Sequence, residues 1–278
     1  MTTLPRVELR SLGAEQLLAP NREALSSRLL MCLPHRSYAL QTQKDATRSQ
    51  LQHETLFQTL LKMGADLELI SEANKCREML YTANAGLTRG RFALMSNFRY
   101  PARQREEPHF RDWFERNGYR IQMPSIGCRF EGEGDAQFVG EILLSGYSSR
   151  GDICSHRWLS ETLAIPVLSL QIIDSRFPQL DSCLFPLNDE TVVFYPGAFD
   201  DNAQLSLHNH FDAITVSKEE ASRMACSSVV IGKQVAMPAN CPVLAQKLEE
   251  RGYQFHPVDL SDFVSERKGC KSLVLRLN

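Results

Sequence analysis

One short pattern occurs three times along this chain, and it constrains the fold more than any other feature of the sequence. An amphipathic segment runs to a glycine, and a short stretch rich in apolar residues follows at once. The copies read KMGADLELI, RNGYRIQM and ERGYQFHPV, with the glycines at Gly64, Gly118 and Gly252. Glycine adopts the left-handed backbone that ends a helix, so each copy predicts a helix, a stop and a strand.

The pattern places helices at 45–63, 110–117 and 242–251, and strands at 65–70, 119–123 and 253–258. Apolar runs predict further strands at 91–96, 137–144, 166–173, 191–195, 229–231, 234–237 and 272–277. Because no linker rich in Gly, Ser or Pro divides the chain, we expect residues 1–278 to form a single α/β domain of mixed strands with covering helices.

Charge and hydropathy exclude several function classes. The net charge of -2, from 31 basic and 33 acidic residues, favours neither nucleic acid nor a charged membrane as a partner. No apolar run approaches the roughly 20 residues of a membrane helix. The first 20 residues carry Glu8 and Glu15 and lack an apolar signal core, so we expect a cytoplasmic protein.

The eight cysteines do not form a recognisable framework. None belongs to a C-x-x-C pair, which argues against a zinc site of the usual spacing. We therefore expect buried, reduced thiols.

Six segments, read in order, carry a more specific pattern. They are YTANAG from Tyr81, NFRYPARQREEP from Asn97, FEGEGD from Phe130, GYSSRGD from Gly146, FPQLDSCLFPL from Phe177 and GCKSLVLRL from Gly269. Together they resemble the arginine dihydrolase branch of the guanidine-modifying superfamily, relatives of arginine deiminase and dimethylarginine dimethylaminohydrolase. The likeness runs from about residue 30 to residue 277. It implies a pentein-type propeller of five ββαβ-type units around a central channel, which agrees with the repeated units.

The chemistry of that family explains which side chains matter. Carboxylates in the plane of a guanidinium bind it and polarise its central carbon, a thiolate attacks that carbon, and an imidazole protonates the departing nitrogen. The resemblance implies substrate-binding or bracing roles for Asn84, Arg103, Glu131, Asp135, Arg150 and Asp181. The alternative for the carboxylates and arginines is a surface turn or an internal ion pair.

The two reacting positions depart from the family pattern. Gln179 stands where the family has its histidine, and glutamine does not exchange a proton near neutral pH. Ser272 stands where the family has its nucleophilic cysteine, and a serine hydroxyl needs an adjacent base. Two binding positions change as well, since Lys44 and Ser227 occupy places where the family has asparagine.

Two residues offer other chemistry. If residues 270–277 form a strand, Cys270 and Ser272 point the same way, and Cys270 becomes a candidate displaced nucleophile; the alternative is a cysteine that packs in the core. The pair His208 and His210 would share a face on a strand, but no third ligand is indicated, so we expect neither a metal nor a cofactor.

Two hypotheses follow from these observations. The favoured one is a divergent enzyme that acts on a C–N bond of an arginine-like amino acid by a non-standard mechanism. Its candidate catalytic residues are Ser272, Gln179, Asp181 and Cys270, and its binding residues are Asn84, Arg103, Glu131, Asp135, Arg150 and Ser227. The alternative is a non-catalytic relative that binds an arginine-like ligand or a protein partner. Both are compatible with a homo-oligomer, and neither predicts ordinary Cys/His hydrolysis of arginine.

Overall fold

The computed structural model describes residues 27–33, 46–148 and 152–277. Within these residues the strands form five three-stranded sheets. In each sheet the central strand pairs antiparallel with one neighbour and parallel with the other. The strands are β1 Arg28–Leu33, β2 Asp66–Ser71, β3 Gly86–Arg89, β4 Phe92–Met95, β5 Arg120–Gln122, β6 Ala136–Val139, β7 Ile142–Tyr147, β8 Val167–Gln171, β9 Leu184–Pro186, β10 Thr191–Phe194, β11 Asp212–Thr215, β12 Val229–Ile231, β13 Gln234–Pro238, β14 Gln254–Val258 and β15 Leu275–Arg276.

A parallel pair of strands needs a long crossover, and at least one helix lies in the crossover of every sheet. The helices are α1 Ala46–Lys62, α2 Pro101–Gln104, α3 Glu107–Arg116, α4 Cys154–Leu163, α5 Asp201–His210, α6 Lys218–Ala221, α7 Pro242–Glu249 and α8 Ser261–Ser265. The expected α/β architecture of repeated strand–helix units is therefore confirmed. One sheet joins distant parts of the chain, because β15 pairs with β1, Leu275 opposite Leu30.

Glycine ends three of the crossover helices, as the sequence predicts. Gly64, Gly118 and Gly252 have φ of 91°, 80° and 75°, in the left-handed region. The other two crossovers use different stops. Helix α4 ends at Ala164, which is itself left-handed at φ 53°, and α5 ends at Phe211 in extended backbone. These two repeats lack the glycine, so the sequence pattern did not reveal them.

Two strand predictions need correction. Residues 137–144 are not one strand, because Gly140 turns the chain at φ 55° and separates β6 from β7. Residues 272–277 are not a continuous strand either. Lys271–Leu273 forms a 3-10 turn, and only Leu275–Arg276 pairs as a strand.

Each repeat carries a short turn just before the strand that pairs antiparallel with the central strand of its sheet. Four of these turns are 3-10 helices: Thr82–Ala85, Gly132–Gly134, Leu180–Ser182 and Lys271–Leu273. In the fifth repeat Ser227 lies in the turn that precedes β12. The four 3-10 turns contact one another in a closed cycle, so residues far apart in the sequence meet at one point.

Apolar side chains fill the space between the sheets and their helices. Phe110 and Phe114 of α3, for example, are fully buried in a cluster that also contains Leu30 and Leu275. Cys128 and Cys154 are joined by a disulfide, so the expectation of reduced thiols is wrong for this pair. The other six cysteines are free and buried. Among the described residues, no helix is long and apolar enough to cross a membrane.

Candidate functional site

A glycine-spaced turn brings the carboxylates of Glu131 and Asp135 into the centre of the protein. Gly132 has φ 60°, and a Cβ there would lie 2.5 Å from the Gly86 carbonyl oxygen, so only glycine fits. The turn closes on itself, since the Glu131 backbone N–H donates to Asp135 Oδ2 at 2.7 Å. Both side chains are buried.

Gln179 and Asp181 reach the same point from the next repeat. The Gln179 amide donates to Glu131 Oε2 at 2.9 Å, and Asp181 lies close enough to disfavour the charged form of Asp135. Burial, followed by the charge of Glu131, raises the pKa of Asp135 to about 8. Three buried carboxylates therefore lie close to one another, two of them in contact with the Gln179 amide, and such a group favours a planar cation. We name Glu131, Asp135 and Asp181 the carboxylate cluster.

Ser272 is fixed against that cluster. Its hydroxyl donates to Asp181 Oδ2 at 2.7 Å, and the Ser227 hydroxyl oxygen lies 3.4 Å from the Ser272 oxygen. The turn that carries Ser272 is tied to the acidic turn by a buried ion pair, 2.6 Å between Lys271 Nζ and Glu133 Oε2. The Ser272 hydroxyl thus donates its hydrogen bond to a carboxylate.

Asn84 carries an unsatisfied acceptor beside the cluster. Its amide nitrogen donates to the Glu131 carbonyl oxygen at 3.1 Å. Its carbonyl oxygen is buried and finds no hydrogen-bond partner in the part of the chain that the structure describes. A buried polar atom without a hydrogen-bond partner destabilises the folded state, unless a ligand or water donates to it. Asn84 Oδ1 is therefore suited to accept a hydrogen bond from a bound N–H group.

Arg103 is occupied by acidic side chains. Its guanidinium nitrogens lie 3.0 Å from Glu106, 3.4 Å from Glu78 and 4.0 Å from Glu131. Burial raises the pKa of Glu106 to about 7, although the charge of Arg103 opposes this shift. Of the two roles the resemblance implies for Arg103, the contacts favour bracing the acidic turn. Arg150 and Lys44 lie outside the described residues.

Cys270 does not sit beside Ser272 as a strand would place it. It precedes the 3-10 turn in helical backbone, and its side chain belongs to the hydrophobic core with no exposed surface. Burial raises the pKa of its thiol above the usual value. The geometric basis for a displaced nucleophile is therefore wrong, and the packing alternative describes this cysteine.

The histidines of the sequence pattern are also placed differently. His208 and His210 lie on helix α5 and not on a strand, where two residues apart they face different directions. In the described ranges no group of three or more His, Cys, Asp or Glu side chains has an arrangement that could hold a metal ion. His156 is buried on α4 and its Nδ1 lies 2.7 Å from the Ser169 hydroxyl.

Sequence reasoning missed one charged residue at the site. Lys268 Nζ donates to Gln179 Oε1 at 3.2 Å and lies 5.0 Å from the centre of the Tyr81 ring. The signal was its place four residues before Ser272 in RKGCKS. A lysine in a loop is ordinarily solvated, so that signal alone was weak.

The sequences of two relatives with curated functions align with most of this chain. No protein-family model matches it. It is 35% identical to the bifunctional arginine dihydrolase/ornithine cyclodeaminase AgrE of Nostoc sp. over 235 residues, 83% of this chain and 33% of AgrE. It is 34% identical to the N(G),N(G)-dimethylarginine dimethylaminohydrolase of Mycobacterium tuberculosis over 236 residues, 84% of this chain and 77% of that enzyme. The chain thus spans about a third of the length of AgrE.

Solved structures agree with the sequence relatives. The N-terminal domain of ArgZ, described as an arginine dihydrolase from the ornithine-ammonia cycle in cyanobacteria, matches with a TM-score of 0.85 and 32% identity, over 90% of this chain and 98% of that one. A dimethylarginine dimethylaminohydrolase from Pseudomonas aeruginosa, 18% identical, shares the fold with a TM-score of 0.79. On the strength of the mycobacterial relative and of these structures, the chain belongs to the guanidine-modifying (pentein) superfamily, in the branch of the arginine dihydrolases and dimethylarginine dimethylaminohydrolases.

Proposed function

We propose that this chain binds the guanidino or amidino group of an arginine-like amino acid in the carboxylate cluster and does not hydrolyse it by the thiolate route of the family. The observation that carries the proposal is the contrast within one site. Three buried carboxylates and the unsatisfied Asn84 Oδ1 are present, whereas the reacting positions hold Gln179 and Ser272. The carboxylates and Asn84 are kept, whereas both reacting groups are exchanged.

Two relatives support binding without the thiol. The N-terminal domain of ArgZ with a cysteine replaced by serine has been solved with its substrate bound. AgrE with a cysteine replaced by alanine has been solved with L-arginine. Retention of ligand in these variants agrees with a serine at position 272 that leaves the binding groups intact.

Thermal unfolding with and without L-arginine tests the proposal. A ligand that binds only the folded state raises the Tm, and removal of one charge from the cluster should abolish the rise. We expect arginine to raise the Tm of the wild type and of Asp189→Asn, a matched change in an exposed turn, but not that of Asp181→Asn. Equal responses from the wild type and Asp181→Asn across guanidino and amidino compounds would refute the proposal.

A second candidate, a serine-based enzyme, is favoured by the 2.7 Å hydrogen bond from Ser272 to Asp181. In that reaction Asp181 accepts the hydroxyl proton as the Ser272 oxygen bonds to the guanidino carbon. Asp181 then returns the proton to a guanidino nitrogen, which leaves as ammonia when its C–N bond breaks, and water hydrolyses the adduct on Ser272. Mass spectrometry of protein incubated with arginine distinguishes the two functions. An adduct on Ser272, or release of ammonia that is lost in Ser272→Ala, would establish the enzyme and overturn the binding-only proposal.

A further inference from the structure

The carboxylate cluster gathers negative charge where water does not screen it. Glu131, Asp135 and Asp181 are 3%, 4% and 1% exposed. Charges in such a poorly solvated place act on one another far more strongly than they do in water. Neutral groups donate the hydrogen bonds that these carboxylates accept from the described residues, among them the Gln179 amide and the Ser272 hydroxyl. A neutral donor lowers the free-energy cost of a buried charge but does not cancel the charge.

Arg103 offsets little of this charge, because several carboxyl groups share it. One of its guanidinium nitrogens lies 4.0 Å from Glu131. Others lie 3.0 Å from Glu106 and 3.4 Å from Glu78. Three carboxyl groups thus surround one cation, so Arg103 does not leave the cluster neutral.

Two lysines also lie near the cluster. Lys271 Nζ lies 2.6 Å from Glu133, so this lysine is balanced by a carboxylate outside the cluster. Lys268 Nζ donates to Gln179 Oε1 at 3.2 Å, and the nitrogen of that amide donates to Glu131. The charge of Lys268 therefore reaches the cluster across a neutral amide, and the greater separation weakens its effect.

Three carboxyl groups crowded in this way do not all ionise near neutral pH, because each new charge is repelled by those already present. In agreement, burial, followed by the charge of Glu131, raises the pKa of Asp135 to about 8, and the charge of Asp181 acts in the same direction. From β7, Ser145 and Gly146 add neutral donors to the Asp135 backbone carbonyl oxygen. The ligand-free cluster therefore keeps one proton at neutral pH, and Asp135 carries it.

A guanidinium or amidinium cation changes this balance. Within hydrogen-bonding reach of Glu131 and Asp181, it brings the positive charge that the proton supplied before. An opposite charge so close favours the ionised form of Asp135. Asn84, from the neighbouring turn, contributes only a neutral oxygen. A ureido group has nearly the same shape as a guanidinium but no charge, so it would leave the proton in place.

We propose that the carboxylate cluster exchanges its proton for the cationic group of the ligand, so that Asp135 releases a proton on binding and sets which ligand charge the site prefers. The inference rests on the proposed function and deepens it. The proton passes from the Asp135 carboxyl group to the solvent, and the ligand cation takes over its charge. The preference for a cation over a neutral ligand of the same shape therefore grows as the pH rises towards 8.

The experiment compares L-arginine with L-citrulline, its ureido counterpart, by isothermal titration calorimetry of the wild type. Titrations in phosphate and in Tris, buffers with different heats of ionisation, give the number of protons released on binding. Near neutral pH we expect about one proton per arginine and none per citrulline. Between about pH 6 and 7.5 the Kd of arginine should fall by up to about tenfold per pH unit, while that of citrulline stays constant.

Two variants identify the group that loses the proton. Asp135→Asn keeps the shape and an acceptor for the Glu131 backbone N–H, and should bind arginine without proton release and without the change of Kd with pH. Asp189→Asn, in an exposed turn, should behave as the wild type. Glu106, whose pKa is about 7, faces Arg103, and a proton lost from it would still be released in Asp135→Asn.

The outcomes separate this inference from the proposed function. If the wild type binds arginine without proton release, or if citrulline or Asp135→Asn releases as many protons, the inference is overturned while the guanidino site stands. If folded wild type binds neither ligand, the proposed function fails and takes this inference with it. Should Asp135→Asn fail to fold, as its melting curve would show, the comparison of the two ligands on the wild type decides alone.

Discussion

Asp135 is a carboxyl group whose surroundings favour its proton. Burial and the charge of Glu131 raise its pKa from 3.8 to about 8, so the folded protein keeps a proton that the unfolded chain releases. Stability therefore falls as the pH rises through that window. Glu106, with a pKa of about 7, acts in the same direction. His53 and His156, whose pKa values burial lowers to about 4 from 6.5, act oppositely, but only below pH 6.5.

We therefore expect the Tm of the ligand-free protein to fall between pH 6.5 and about 8.5, where the histidines no longer contribute. Asp135→Asn, which keeps the shape without the titration, should flatten part of that slope, and Asp189→Asn should not. Differential scanning fluorimetry across the pH range checks this. An unchanged slope in Asp135→Asn would mean that Asp135 is already ionised at neutral pH.

Gln179 and Ser272 give the second prediction at this scale. Gln179→His together with Ser272→Cys returns a proton carrier and a thiol to the same site. If the cluster still positions a guanidinium, the double variant should release ammonia from arginine faster than either single variant, because nucleophile and acid act as one unit. An ammonia assay on the four proteins decides it; an inert double variant that still binds arginine would show that the reacting geometry is lost.

Sequence patterns could name most of the candidate residues but not their surroundings. FEGEGD and FPQLDS identify carboxylates, and the structure puts Glu131, Asp135 and Asp181 together. The placement of Cys270 could not be predicted, because a strand and a 3-10 turn followed by two paired residues produce the same apolar run in the sequence. The place of Lys268 at the site could not be predicted, because its contact with Gln179 depends on the path of a loop.

At the scale of elements, the candidate site is built on the short turns that precede the antiparallel outer strand of each sheet. Glu133 ties two of these turns together. It accepts from Lys271 Nζ at 2.6 Å and from the Arg276 backbone N–H at 2.8 Å, and both partners in the ion pair are buried. The turn that carries Ser272 therefore depends on Glu133 for its position beside the carboxylate cluster.

Glu133→Ala should destabilise the protein by about 3–5 kcal/mol, because the buried Lys271 charge is left without its partner. Glu141→Ala removes a 2.8 Å ion pair with Arg89 in which the glutamate is 67% exposed, and should change stability by no more than about 1 kcal/mol. Urea unfolding of the two variants provides the comparison. Equal losses would show that the Glu133 pair contributes no more than a surface pair.

The helix stops show why the repeat could be predicted only in part. Three crossovers end at a left-handed glycine, which sequence displays directly. The crossover before β8 ends at Ala164 in the same backbone conformation, and the one before β11 ends at Phe211 without any left-handed residue. In all five repeats the chain must turn after the crossover helix, but the turn can be recognised in the sequence only where a glycine makes it.

For the whole molecule, pairing between β1 and β15 joins the two ends of the described chain. Leu275 of β15 is fully buried in a cluster that includes residues of β1 and α1. We infer that the described residues unfold as one domain, since the loss of this strand would open the first sheet.

Leu275→Ala should accordingly lower the stability of the whole protein by about 2–5 kcal/mol, the usual range for a buried leucine. Leu205→Ala, at a leucine that is 60% exposed, should have an effect within about 0.5 kcal/mol. Circular dichroism and tryptophan fluorescence should follow one transition in urea. Two separate transitions would contradict a single cooperative domain.

The central claim is that the carboxylate cluster holds a guanidino ligand that the protein does not cleave. A crystal structure of the wild type grown with L-arginine tests it most directly. The account predicts intact arginine, with guanidinium nitrogens within hydrogen-bonding distance of Glu131, Asp181 and the Asn84 oxygen. An empty site at saturating arginine would contradict the binding claim, and density for citrulline, ornithine or an adduct on Ser272 would contradict the absence of chemistry.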